Sequence, residues 1–165
     1  MSTDRSIAEL NGFELIRSLS AGELSVSAIA QALLEHIHAQ DEPVQAWAWL
    51  DPDQVLAEAG ALDALPAQAR GPLHGLPFAA KDNIDTADMP TGYGTPLHDG
   101  FRPNRDAACV ALLRLGGGLL LGKTVSTEFA HRHPGKTRNP HAPEHTPGGS
   151  SSGSAAAVAA GMVPI

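Results

Sequence analysis

The 165-residue sequence predicts an α/β protein, with helices flanking a mixed, at least partly parallel sheet. Two short apolar runs, Phe78-Ala79-Ala80 and Leu119-Leu120-Leu121, lack polar alternation and suit strands buried on both faces. Between and around them lie segments with apolar residues at helical spacing. The alternation of the two kinds of segment is the pattern of an α/β layer architecture.

The elements follow in order. Asn11 is a candidate cap for a first helix, with Phe13, Leu15, Ile16 and Leu19 as its apolar positions and Ala21-Gly22 as its stop. Ser25 or Ser27 opens a second helix, in which Ile29, Leu33, Leu34 and Ile37 recur at helical spacing up to about Gln40. Ala46 to Leu50 reads as a short strand. Asp51-Pro52 opens a third helix, Asp53 to Leu65, because proline in the first turn loses no needed N–H. After the loop Gly71 to Pro77, the strand Phe78 to Ala80 leads to Lys81-Asp82-Asn83. Asp85 to Arg105 is irregular. Asp106 to Leu115 is helical, with Val110, Leu112, Leu113 and Leu115 apolar and Cys109 expected as a buried, inert thiol among them. Gly116-Gly117-Gly118 ends that helix, and the Leu119–Leu121 strand follows, with Lys123 expected in the turn after it. A long loop from Gly122 to Pro147 ends in a glycine–serine stretch, Gly148 to Ser154, feeding an alanine-rich helix.

Composition narrows the function. The net charge of −7 argues against a broad basic surface for nucleic acid. One cysteine allows no internal disulfide and fits a reducing, cytoplasmic setting. The N-terminus carries no signal-peptide pattern, and the apolar run Ala155–Ala160 is too short to span a bilayer.

Three motif matches fail on context. Gly117 to Thr124 fits G-x-x-x-x-G-K-[ST], but a helix precedes it and three leucines fill the would-be phosphate loop. Gly149-Ser150-Ser151-Ser152-Gly153 fits the nucleophile elbow G-x-S-x-G. No strand precedes it, and no His, Asp or Glu follows Ser151 to complete a triad. His131, His133, His141 and His145 lie among prolines with no cysteine or H-E-x-x-H beside them, so they read as solvated loop histidines.

Two features remain open on the residues alone. A serine at the start of the alanine-rich helix is either a cap or a catalytic hydroxyl. Lys81, at the end of an apolar strand, is either a surface lysine or a base whose charge burial would remove.

Together these features resemble the amidase signature family of hydrolases. Gly71-Pro72-Leu73-His74-Gly75-Leu76-Pro77-Phe78-Ala79-Ala80-Lys81-Asp82-Asn83-Ile84-Asp85 is similar to its lysine motif. Asn139-Pro140 and Pro147 to Gly161 are similar to its serine–glycine core. Gly122-Lys123-Thr124 and Glu128-Phe129-Ala130 match between them, and the helical N-terminus matches weakly. The resemblance implies an amide C–N hydrolase using a Ser–cis-Ser–Lys triad, with Lys81 as base, Ser150 as the bridging serine after a cis peptide, and Phe129 lining the acyl pocket. It implies no cofactor and no metal. The expected partner is a small-molecule amide, not nucleic acid or membrane, and a homodimer is compatible with it. Ser152 stands where the family usually has Gly.

A larger departure is what the 165 residues lack. The family's nucleophile follows in a pattern like G-T-x-x-G-G-S-[IV]-R, and amides before that serine form the oxyanion hole. The chain reaches Met162-Val163-Pro164-Ile165 without it. It is therefore expected to be the N-terminal part of one amidase domain, with residues 1–69 a helical opening and 70–165 the start of the catalytic core. Its sheet is expected to be incomplete and the chain inactive by itself. The rivals are a transamidase component similar to glutamyl-tRNA amidotransferase A, a non-catalytic truncated module, and a nucleotide-binding loop at Lys123.

Overall fold

The computed structural model describes residues 5–165. Five helices and three strands form it: α1 (Gly12–Ala21), α2 (Val26–Val44), β1 (Trp47–Leu50), α3 (Pro52–Asp63), β2 (Pro77–Lys81), α4 (Ala108–Leu115), β3 (Leu119–Thr124) and α5 (Ser152–Ala159). The caps follow from side-chain chemistry. The Asn11 side chain accepts the Glu14 N–H, and the Glu14 carboxylate accepts the Asn11 N–H. Ser25 caps α2 by accepting the Ala28 N–H at 3.1 Å. Asp51 caps α3, with Pro52 in the first turn. Gly22, at φ 70°, closes α1 in the left-handed region. Helix α2 runs past Gln40 to Val44, where the left-handed Gln45 ends it. Asp63 joins the N-terminus of α2 to the end of α3. Its carboxylate accepts the N–H of Val26 and both the N–H and hydroxyl of Ser27 at 2.6–2.9 Å. Burial opposes the charge on Asp63, but these hydrogen bonds hold its carboxyl below the ordinary value.

The sheet has the order β1-β3-β2, with β1 antiparallel and β2 parallel to the central β3. One face meets the larger core, built from α1, α2, α3 and α5 around Leu119, Leu121 and Trp47. The other meets a smaller core of Phe78, Ala80, Met89, Val110 and Leu120. The β2–β3 register shifts by one residue between Phe78 and Ala79, which face Leu120 and Gly122. A one-residue shift exchanges the faces of every side chain beyond it.

That shift corrects the expectation for Lys123. It lies within β3, fully buried, and not in a following turn. It pairs with Ala80, so it points to the smaller core, while Thr124 and Lys81 pair on the opposite face.

Helix α4 corrects a second expectation. It begins at Ala108, and Cys109 is exposed. Residues 110 and 113 share one stripe of the helix and face the smaller core. Residues 109, 112 and 115 share another, and Leu112 and Leu115 are 66% and 82% exposed. Both stripes are apolar in sequence, and only one meets the sheet. On α1, Phe13 is likewise exposed, whereas Leu15 and Leu19 are buried. Among the described residues, no helix is long and apolar enough to cross a membrane.

Candidate active site

The parallel strands β2 and β3 end side by side, with Lys81 beside Thr124. Helix α5 approaches these ends from the larger-core face. Gly153 permits the approach: a Cβ there would overlap the Ala46 carbonyl oxygen and the Val125 nitrogen. Its own N–H donates to the Val125 carbonyl at 2.9 Å. The Thr124 and Ser154 hydroxyls hydrogen-bond at 2.7 Å, fixing the first turn of α5 on β3.

The loop before α5 carries Ser150, and the Gly149–Ser150 peptide is cis. The Ser150 carbonyl accepts the Thr127 N–H at 3.0 Å. Its hydroxyl meets the end of β2: Lys81 Nζ donates to Ser150 Oγ at 2.6 Å. Lys81 and Ser150 lie 69 positions apart in sequence, so only the fold brings them together. Burial lowers the pKa of the Lys81 amine below the ordinary lysine value, because a dry surrounding disfavours its charge. No carboxylate lies within ion-pair distance of it among the described residues.

Asp82, the next residue, is buried and clamped on three sides. Its N–H donates to the Thr124 carbonyl at 2.9 Å, its carbonyl accepts the Tyr93 N–H at 3.0 Å, and its carboxylate accepts the N–H groups of Gly92 and Gly94. Gly94 has φ 66°, and a Cβ on it would press on the Ser126 carbonyl at 2.6 Å. The 92–94 segment therefore packs tightly on the loop after β3. The Tyr93 carbonyl also accepts the Phe129 N–H at 2.8 Å.

Phe129 sits in a single 3-10 turn, Glu128–Ala130, at φ 46° and ψ 32°. Its ring is half exposed and lies 5.9 Å from the His98 ring, edge to face. It neighbours the lysine–serine pair through Thr127 but makes no hydrogen bond to it.

The serine stretch divides differently from expectation. Ser151 occupies the cap position of α5, but its side chain makes no cap hydrogen bond. Ser152 is turned inward, with its hydroxyl 3.5 Å from the Val125 carbonyl. Gly153 packs on the Ala46 and Val125 backbone, and the cap reading of a serine at the start of this helix finds no cap hydrogen bond from Ser151. His131, His133, His141 and His145 are all exposed. Among the described residues, no group of His, Cys, Asp or Glu could hold a metal ion.

Sequence reasoning missed Asp82, Thr124 and Ser154 as parts of this site. Asp82 adjoins Lys81, but its role depends on Gly92 and Gly94, ten and twelve residues away. Thr124 and Ser154 lie within the motif segments, but their contact joins β3 to α5 across 30 positions and has no local signature.

The family profile described as Amidase matches residues 28–165. The A-type subunit of the glutamyl-tRNA(Gln) amidotransferase of Salinibacter ruber is 43% identical over 155 residues, covering 88% of this chain and 30% of the relative. The solved peptide amidase of Stenotrophomonas maltophilia superposes with a TM-score of 0.86 at 41% identity, covering 94% of this chain and 35% of that one. A solved fatty acid amide hydrolase superposes with a TM-score of 0.87 at 26% identity, covering 96% of this chain and 29% of that one. The chain thus spans about a third of the length of the relatives it matches. On the profile match and these superpositions, the chain belongs to the amidase family.

Proposed function

We propose that the chain supplies the proton-transfer half of an amide C–N hydrolase, with Lys81 as base and Ser150 as relay. The observation that carries this reading is the 2.6 Å hydrogen bond between Lys81 Nζ and Ser150 Oγ, on a lysine whose pKa burial lowers. A neutral lysine amine takes a proton, and a serine hydroxyl hydrogen-bonded to it passes one on. In this reading the nucleophile is a serine in residues outside these 165. Its hydroxyl attacks the amide carbon as its proton moves to Ser150 and the Ser150 proton moves to Lys81. The tetrahedral intermediate collapses, the C–N bond breaks, and the Lys81 ammonium returns a proton through Ser150 to the leaving amine or ammonia. Water then attacks the acyl ester by the same relay and releases the acid. The partner is a small-molecule amide, and Phe129 lines its acyl side. No cofactor takes part.

The single-domain reading rests on shared structure. Strand β1, from the helical opening, pairs with β3 of the core, so the two parts contribute strands to one sheet.

A second reading is a transamidase component that delivers ammonia inside a complex. Identities of 38–43% to curated amidotransferase subunits of the A type favour it. Activity that needs co-purifying subunits selects this reading, and turnover by the longer protein purified without them selects the hydrolase.

The test is ammonia release from a panel of simple and peptide amides by the longer protein carrying this chain. Lys81→Ala is expected to lower kcat by about 100- to 10,000-fold, the range for removing a general base. Unchanged kcat in the folded variant would overturn the assignment.

A further inference from the structure

Lys123 is the one lysine of the sheet that the relay does not use. It is fully buried, and it donates to three neutral oxygens: Thr91 Oγ1 at 2.6 Å, the Pro90 carbonyl at 3.3 Å and Thr86 Oγ1 at 3.4 Å. Among the described residues it forms no ion pair. A buried ammonium without a carboxylate partner is costly to keep, whereas an apolar side chain would fill the same space without that cost. What the amine supplies is a three-way fastening. It holds the Thr86–Thr91 segment against the face of β3 opposite the lysine–serine pair.

The fastening leads directly to that pair. Thr91 is followed by Gly92, Tyr93 and Gly94. Their backbone N–H groups clamp Asp82, the residue after Lys81. The Tyr93 carbonyl holds Phe129, and the same turn places the Thr127 N–H on the Ser150 carbonyl. One segment thus braces both ends of the Lys81–Ser150 hydrogen bond, and Lys123 supplies the polar fastening of that segment to the sheet beside the buried Met89.

We propose, on the hydrolase reading above, that Lys123 is a positioning residue that acts through Thr91 and the 92–94 clamp to fix Lys81 against Ser150. It touches neither of them. Its removal releases the clamp and lets water reach the Lys81 amine.

The test uses the longer protein with Lys123→Met, which keeps the length of the stem, and Thr91→Val, which keeps the shape of the partner while removing its oxygen. Two readouts are taken. In the first, kcat is expected to fall by about 10- to 100-fold, as for a displaced catalytic group, with KM within about twofold. The acidic limb of the kcat/KM profile is expected to move to higher pH. The second needs no turnover: acetylation of Lys81 by acetic anhydride is followed against pH by peptide mass spectrometry. Its midpoint is expected to rise in both variants. If Lys123→Met does not fold, Thr91→Val decides. Folded variants with wild-type acetylation midpoints and pH profiles would overturn the proposal even if they melt at lower temperature, because that is the mark of a merely structural lysine. If the wild type hydrolyses no amide, the hydrolase reading fails on its own and the acetylation midpoints still decide the role of Lys123.

Discussion

Two lysines sit on neighbouring strands and have opposite fates. Lys81 is half buried and meets a hydroxyl that can carry its proton onward. Lys123 is fully buried and meets oxygens that only hold it. Burial, the largest influence, pushes the Lys123 amine down to about 8, against the pull of Asp82, Asp85, Asp88 and Asp106. The stability consequence has a definite sign. Below about pH 8 Lys123 is protonated in both folded and unfolded chains, and the fold bears the full cost of a buried charge. Between about pH 8 and 10.5 the unfolded chain holds a proton that the folded chain has lost, so stability rises with pH across that window. Lys81, also lowered by burial, adds in the same direction. Lys123→Met removes the Lys123 contribution. The stability of wild type relative to Lys123→Met, from urea denaturation of the longer protein, is therefore expected to increase steadily from pH 8 to pH 10. A difference that is flat or falls with pH would contradict the buried, depressed lysine.

At the scale of elements, small residues decide how close a helix can come. Helix α5 buries Ser152, Gly153, Ala156 and Ala157, and Gly153 rests directly on the Ala46 and Val125 backbone beside β1 and β3. Gly153→Ala puts a methyl group where the Ala46 carbonyl and Val125 amide already lie. Overpacking of this kind costs about 1–3 kcal/mol. It is also expected to push the Ser150 loop off the end of β2, so the longer protein should lose amide turnover as well as thermal stability. Retention of both would show that α5 can shift without disturbing the serine. The helices themselves are legible in the sequence, because caps at Asn11, Ser25 and Asp51 and the 3.6-residue period act locally. The lysine–serine pairing is legible only through family motifs, since its two members meet across 69 positions. What stays hidden depends on packing. The register shift at Phe78–Ala79 turns Lys123 to the opposite face, and periodicity cannot tell which of α4's two apolar stripes meets the sheet. For that second reason Cys109 is exposed although its neighbours in sequence suggest burial.

At the scale of the molecule, the proposed chemistry is divided. The 165 residues hold a lysine and a serine in hydrogen-bond contact, yet contain no G-G-S-[IV]-R pattern for a nucleophile and its oxyanion amides. A relay lowers a barrier only when it has a nucleophile to deprotonate, and the oxyanion donors alone are worth about 100- to 1,000-fold in kcat. Catalytic groups that act as a unit lose nearly everything when one is removed. The Ala79 N–H donates to the Ile165 carbonyl at 3.0 Å, so Ile165 packs alongside β2, the strand that carries Lys81. The purified 165-residue chain is therefore expected to release no ammonia from any amide that the longer protein hydrolyses, at equal molar concentration and pH. Turnover by the short chain that disappears in its Lys81→Ala variant would mean that Ser150 or a neighbouring serine is itself the nucleophile. The division of labour proposed for Lys81 and Ser150 would then have to be abandoned.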